Sequence, residues 1–461
     1  MFSVLLICFV FTLTINNSSS FLNIKFGTPF RISDKEIKKD IKYNNNHNII
    51  KKINGFYGLI GPDINKTDVK TLYDLFTGNG IVQGLFFKNG RITYVKHFIR
   101  TERIVYEESH GKIPNNLFLN AVLMCFNKIN LFPNILGLAN TALLNINEKN
   151  YALFEQDSPY MIDVNFKDHS IKTVKKRPIS EVSHFSAHSK YNTSSKTIDT
   201  IDYNAVTNFA TYYQLGSDFQ ILKKKDIRTT YIPLVHDFVS LDNFIIFCDA
   251  PMLFNMQNMS NIKIPITFYK NKNTFIHIID KNTLAVKKIE IDDSIYIFHY
   301  ADYKETEKTI EIYASLYENI DYGTIDIKGR YRKIVIDKES YAISVTKNPL
   351  LEKYNVDFPV KFENKQILLK NNNNSINGFL LCEGLQIIKD FYLSDNLCIA
   401  GEPKVIYIEK IPYFISFAYS SKTDNGYFLL VNLQNYKQKK IPLNENINIG
   451  FHSIFIDNDL R

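Results

Sequence analysis

The sequence predicts an all-β chain of the propeller, barrel or sandwich kind, built as one domain over residues 53–461. Three observations carry this. From Gly55 onward, short runs rich in Ile, Val, Phe, Tyr and Thr follow one another at even spacing. Turn signals separate them, the sharpest being Lys88-Asn89-Gly90 between GLFF and RITYV. No linker or shift in composition divides this region. A length of 461 residues would allow two or three domains, but large all-β folds run long as single units.

In chain order, MFSVLLICFVFTLT opens an apolar run too short to span a bilayer, followed by INNSSS. Residues 1–20 are expected to be a signal peptide, with a membrane anchor as the alternative because the basic n-region is missing. Residues 21–52 are expected to be a disordered leader or linker, polar and basic in DKEIKKDIKYNNNHNIIKK. A signal peptide before a Lys/Asn-rich stretch suggests entry to the secretory pathway and then a plastid-type organelle. Asp34, Glu36 and Asp40 speak against a transit segment and leave plain secretion open. One amphipathic helix is expected between Asn115 and Phe126. Strands are expected at FIIFCDA, YIFHYA, TIEIYASLY, KVIYIEK, YFISFAYSS and GYFLLVNL, with turns at Asn371 to Asn374 and at Asp424-Asn425-Gly426. No repeat of the WD or kelch kind is visible.

The apolar share is 45%, with 35 Phe and 28 Tyr, enough for a large core and a surplus of rings to line an apolar cavity. The net charge of +8 reflects Lys enrichment, with Asn alongside it, spread along the whole chain. No dense basic block interleaved with aromatics is found, so no nucleic-acid partner is expected. Cys8, Cys125, Cys248, Cys382 and Cys398 show neither CxxC spacing nor a disulfide framework. P-loop, GxGxxG and GxSxG motifs are missing, so hydrolase and nucleotide-binding readings lack support.

Ten histidines are present, and four sit among strand-like apolar residues. These are His188 in HFSAHSKY, His236 in PLVHDFVS, His299 in YIFHYAD and His452 in IGFHSIF. A lone histidine of this kind is usually a satisfied core residue. Four are harder to dismiss, because each buried imidazole needs partners at both ring nitrogens, and a shared metal would take one nitrogen from each. His184 and His188 are also spaced i, i+4, but the surroundings do not read as a helix and there is no HExxH.

VHDF, FHYA, GFHSIF and SAHSK resemble the metal-ligand motifs of the carotenoid cleavage oxygenases. GFYGLIGPD resembles that family's opening motif, LFTGNGIVQGLFFKNGRITYVKHFIRTE its glycine-rich hairpin, ANTALLNINEKNYALFEQDSPY its threonine and glutamate segment, and AGEPKVIYIEK its late Gly-Glu-Pro motif. They run in family order from Gly55 to Phe455.

The resemblance implies a seven-bladed β-propeller with a helical and loop cap over the iron face. It implies one Fe2+ per chain held by His188, His236, His299 and His452, which come from different blades. It implies carboxylates that orient the rings, pairing Glu155 with His236, Asp357 with His299 and Glu402 with His452, and leaving His188 unsupported. Asp357 stands for the family's glutamate and is one methylene shorter, so a longer or water-bridged contact is expected. Thr141 matches a threonine near the open coordination positions. Thr77, Asn79, Gln83 and Asp302 depart from the family pattern without removing a ligand. The implied reaction is cleavage by O2 of a C=C bond in a carotenoid, apocarotenoid or stilbene-like substrate, giving two carbonyl products. A tunnel opening near a membrane surface is implied too. A retinoid-type isomerase of the same family and a silent propeller that binds an apolar ligand are the alternatives. Phe238, Phe298 and Phe451 neighbour the ligands, and strand alternation is expected to turn them away from the axis.

Overall fold

The computed structural model describes residues 24–43, 49–114, 116–129, 131–204, 207–255, 257–258, 265–372 and 375–458. The expected signal peptide at 1–20 lies outside the described residues, as does the tip of the turn at Asn371 to Asn374.

Seven antiparallel sheets follow one another along the chain as the blades of a β-propeller. Blade 2 opens with Ala142–Ile146 and blade 3 with Lys190–Asn192. Blade 4 opens with Val239–Ser240 and blade 5 with Tyr296–Glu305. Blade 6 opens with Val356–Phe362 and blade 7 with Leu397–Ile399. Blades 2, 3, 5 and 6 are meanders of sequential hairpins; in blade 4 the separate hairpin Met252–Phe254 with Ile266–Phe268 interrupts the meander, and in blade 7 Leu397–Ile399 and Lys404–Ile408 both pair with Ile411–Ser420. Blade 1 differs, because its order is Ile37–Asp40, Arg91–Phe98, Gly80–Lys88, Gly55–Pro62 and then Ser453–Asp457. The C-terminal strand thus pairs with the first long strand, Gly55 opposite Asp457 and Leu59 opposite Ser453. This pairing closes the ring of blades.

The core is not one central mass. Each contact between neighbouring blades has its own buried cluster. Phe56 and Phe86 of blade 1 meet Leu143 and Ile162 of blade 2. Ile245 and Phe247 face blade 3, while Ile246 and Cys248 face blade 5. Tyr57 and Leu85 meet Phe428 and Ile415 of blade 7 across the closure. Alternate residues therefore point to opposite neighbours, and both neighbours are apolar. That is why FIIFCDA reads as a continuous hydrophobic run instead of alternating. A single buried Phe or Ile contributes about 1.5–3 kcal/mol, so stability is spread around the ring.

The hairpin at Lys88-Asn89-Gly90 forms as expected. Asn89 and Gly90 have φ of 51° and 76°, the left-handed pair a two-residue turn requires. The expected helix is Leu117–Lys128, with Asn116 capping it through a bond from Leu119 N of 3.0 Å. Glu102–His110 and the short Leu72–Phe76 complete the described helices of the cap. The 21–52 stretch is not wholly the disordered leader expected. Ile37–Asp40 pairs with Arg91–Phe98 as the outer strand of blade 1, and Ile41 and Ile50 are buried. The alternation of Ile37 and Lys38 in this basic segment suits an edge strand with one wet face.

Candidate metal centre

The propeller axis brings together residues far apart in sequence. His188 lies two residues before the first strand of blade 3, and His236 lies just before that of blade 4. His299 lies within the first strand of blade 5, and His452 immediately precedes the closing strand of blade 1. Their ligand-capable nitrogens all lie within 4.8 Å of one another. Nε2 to Nε2 separations are 3.1 Å for His188–His236, 3.3 Å for His236–His299 and 3.3 Å for His299–His452.

Carboxylates lie near the outward nitrogens, two of them within hydrogen-bond reach. Glu155 Oε1 is 2.7 Å from His236 Nδ1 and Asp357 Oδ1 is 2.9 Å from His299 Nδ1. Glu402 Oε1 is 3.6 Å from His452 Nδ1. His188 Nδ1 is 3.9 Å from Asp237, beyond hydrogen-bond reach. A ring whose Nδ1–H donates to a carboxylate presents an Nε2 lone pair inward. Lone pairs cannot satisfy one another across 3.1–3.3 Å. Nitrogens bound about 2.1 Å from a first-row metal ion at right angles lie about 3 Å apart, close to what is seen. The four imidazoles therefore fit a divalent transition metal, and neutral imidazole suits iron among several.

The local sequence explains each placement. Gly401 and Gly450 let two chain segments touch. A Cβ on Gly450 would stand 2.4 Å from Leu59 Cγ, and one on Gly401 would stand 2.7 Å from Gly450 O. The segments are then joined by Gly450 N to Ala400 O at 2.7 Å and Glu402 N to Phe451 O at 2.9 Å, which sets Glu402 beside His452. Ser186 accepts from His188 N at 3.2 Å, while Ser189 donates to Ser186 O at 2.7 Å, fixing the turn that carries His188. Burial, joined by the charge of the neighbouring imidazoles, holds His188 well below the usual histidine range. Burial also acts on His299, but the Asp357 charge outweighs it and holds that ring above the usual value. Burial would raise Glu155 and Asp357, yet both are held below the ordinary carboxylate range by His236 and His299 respectively.

The shorter Asp357 reaches His299 directly, against the expectation of a longer or bridged contact. The strand register shifts between Asp357 and Val360, and Phe358 takes φ of 50°. This bulge carries the Asp357 backbone inward. Tyr317 donates its hydroxyl to the other Asp357 oxygen. Thr141 is buried at the start of blade 2, and its hydroxyl lies 3.1 Å from Asn140 Oδ1 and 3.4 Å from Glu155 Oε2.

A cavity of about 280 Å³ opens over His236, His299 and His452, with Thr141 at its wall. Leu72, Leu75 and Phe76 of the cap, together with Phe298, Phe358 and Phe451, make it largely apolar. Phe298 and Phe451 thus face the site, contrary to the expected alternation. A bulge between Ile297 and Tyr300 turns Phe298 and His299 to the same side, and Phe451 lies outside any strand. Phe238 is fully buried in the contact of blades 3 and 4, as expected for a residue turned away.

Sequence reasoning missed Asp237 and Phe358. Asp237 accepts from Lys190 Nζ at 2.6 Å and from Tyr300 N at 3.0 Å, tying together the strands that carry His188, His236 and His299. The signal was its place beside a ligand in VHDF. Phe358 packs 5.1 Å from the His299 ring and 5.7 Å from that of His452. Of the positions that depart from the family pattern, Asn79 donates to buried Glu107 at 2.7 Å and Gln83 donates to Asn448 O at 2.6 Å. Asp302 accepts from Gln366 at 2.9 Å, so these contacts are local.

The family profile described as retinal pigment epithelial membrane protein (RPE65) matches residues 48–373, most of the chain. The chain belongs to the carotenoid cleavage oxygenase family. It is 28% identical over 298 residues to carotenoid 9,10(9′,10′)-cleavage dioxygenase 1 of Arabidopsis thaliana, covering 60% of this chain and 54% of that protein. It is 25% identical over 292 residues to the carotenoid 9,10(9′,10′)-cleavage dioxygenase of Crocus sativus, covering 59% and 53%. The chain spans about half the length of the curated relatives it matches. The fold of the chain resembles lignostilbene dioxygenase of Pseudomonas brassicacearum, with a TM-score of 0.77, 16% identity and coverage of 96% and 100%. It also resembles a mutant of Synechocystis apocarotenoid oxygenase, with a TM-score of 0.75, 15% identity and coverage of 92% and 96%.

Proposed function

We propose that this carotenoid oxygenase uses one Fe2+ and O2 to cleave a C=C bond of a carotenoid, apocarotenoid or stilbene-like substrate into two carbonyl products. The convergence of four Nε2 atoms beneath an apolar cavity carries this reading. His188, His236, His299 and His452 would hold the ion. When bound, ferrous iron supplies the Lewis-acid and one-electron chemistry that lets O2 react with a double bond. The chain's own residues do the rest. Glu155 and Asp357 keep Nδ1–H of His236 and His299 engaged, so both rings stay in the tautomer that ligates. Glu155, Asp357 and Glu402 offset the charge of an ion whose four ligands are neutral. Thr141 has its hydroxyl taken up by Asn140 and Glu155, so it bounds the open side without offering a free proton. Phe76, Phe358 and Phe451 give the substrate an apolar bed and exclude water.

The test is aerobic incubation of iron-loaded protein with a panel of carotenoids, apocarotenals and stilbenes. Aldehyde products heavier by one oxygen atom per fragment support the reading. Products of unchanged formula would show the isomerase alternative instead, and binding without turnover would show a silent propeller. Contact with a membrane surface is part of the proposal. Val105, Met124 and Ile129, on and beside the longer cap helices, expose 50%, 37% and 59% of their surface. Among the described residues no helix is long and apolar enough to cross a membrane. Entry of the chain into the secretory pathway is tested by fusing its first sixty or so residues to a fluorescent reporter.

A further inference from the structure

The four imidazoles are not equally supported, and the difference follows two lysines. Glu155 and Asp357 stand 2.7 and 2.9 Å from the Nδ1 atoms of His236 and His299. Among the described residues no lysine or arginine pairs with either acid. The carboxylates near the other two rings are each paired with an ammonium group. Glu402 Oε2 accepts from Lys404 Nζ at 3.1 Å and from Ser453 N at 2.8 Å, and its Oε1 lies 3.6 Å from His452 Nδ1. Asp237 Oδ1 accepts from Lys190 Nζ at 2.6 Å and Phe238 N at 2.8 Å, while His188 Nδ1 is 3.9 Å away. The acids free of lysine sit close to their rings, and the acids held by lysine stand off.

We infer that Lys404 is a positioning residue that holds Glu402 back from His452 and so weakens His452 as a metal ligand, with Lys190 and Asp237 playing the same part at His188. The inference rests on the metal-centre reading above. A carboxylate on Nδ1–H makes the opposite nitrogen a stronger donor, and removal of such a partner typically changes metal affinity 10- to 100-fold. A carboxylate that also neutralises an ammonium group has less charge to lend, and its place is set by the cation. His236 and His299 are thus the strong pair, while His188 and His452 are the weak pair. Weak donors and an added positive charge near the axis both favour the lower oxidation state of an iron ion. The arrangement gives up some affinity and keeps the iron ferrous in the presence of O2.

Lys404 is the residue to test. Its side chain is 30% exposed, and Glu402 keeps Ser453 N as a partner once the lysine is gone. Lys404→Met and Lys404→Gln should bind Co2+ about three- to tenfold more tightly than wild type in competition with a chromophoric chelator, a smaller change than full loss of a partner causes. The Fe(III)/Fe(II) midpoint of the iron-loaded variants should move to a more negative potential. Lys404→Arg, which restores the charge, should behave as wild type. In a Glu402→Gln background, Lys404→Met should change Co2+ affinity much less than it does in wild type, since only the direct effect of the lysine charge is left. Unchanged or weaker Co2+ binding by both neutral variants, with wild-type melting temperatures for the metal-free proteins, overturns the inference and leaves the metal centre standing. Wild-type protein that takes up no Co2+ at all overturns the metal-centre reading, and the inference with it.

Discussion

Asp357→Asn is the sharpest probe of how this centre is held. The substitution preserves size, and the amide oxygen can still accept from His299 Nδ1 at the 2.9 Å now seen. What is lost is charge. A hydrogen bond to a charged group is worth about 1.5–3 kcal/mol and a neutral one about 0.5–1.5 kcal/mol. The His299 support therefore weakens by about 1–1.5 kcal/mol, close to tenfold in binding. The amide group would also face the Tyr317 hydroxyl, which now donates to the second carboxylate oxygen and must turn to accept. The expected outcome is Co2+ or Fe2+ binding about tenfold weaker than wild type, with the fold intact. Asp357→Ala should lose more, because the Tyr317 hydroxyl is then orphaned in a buried site at a cost of about 1–3 kcal/mol in stability. Competition against a chelator of known affinity measures the first effect, and urea unfolding of the metal-free proteins measures the second. Asp357→Asn binding metal within twofold of wild type would refute the idea that its charge strengthens His299.

Other outcomes follow from the same geometry. His236→Ala should abolish both iron retention and oxygen consumption, read by metal analysis and an oxygen electrode, since it removes one of the four convergent nitrogens. Gly450→Ala should cost about 1–3 kcal/mol by forcing Leu59 aside, because its new Cβ would lie 2.4 Å from Leu59 Cγ, and should loosen metal binding through His452. Stripping the metal with a chelator should lower the melting temperature, and restoring free metal at a hundred times its Kd should return about 2.7 kcal/mol of stability. Phe451→Ala should widen the cavity wall and raise relative turnover of bulkier polyenes, checked by product ratios in mixed-substrate assays.

Much of this protein is written in one dimension. Short β-rich runs, the Asn89-Gly90 turn and the absence of a linker specify many hairpins in one unit, since turn chemistry and period are local properties. The four histidines were legible because each sits in a short ordered motif, as were Glu155, Asp357 and Glu402. Tertiary structure decided what depends on displacement through space. Ring closure between Gly55–Pro62 and Ser453–Asp457 joins opposite ends of the chain, and it carries His452 to the axis. The bulges at Ile297 to Tyr300 and Asp357 to Val360 break strand alternation, so Phe298 faces the cavity and a short aspartate reaches His299. Pairings such as Lys404 with Glu402 at 3.1 Å and Lys190 with Asp237 at 2.6 Å depend on where side chains end in space. Residue type and spacing can nominate ligands, because ligation needs particular atoms. How strongly each one binds is set by distances to charges that the linear order does not contain.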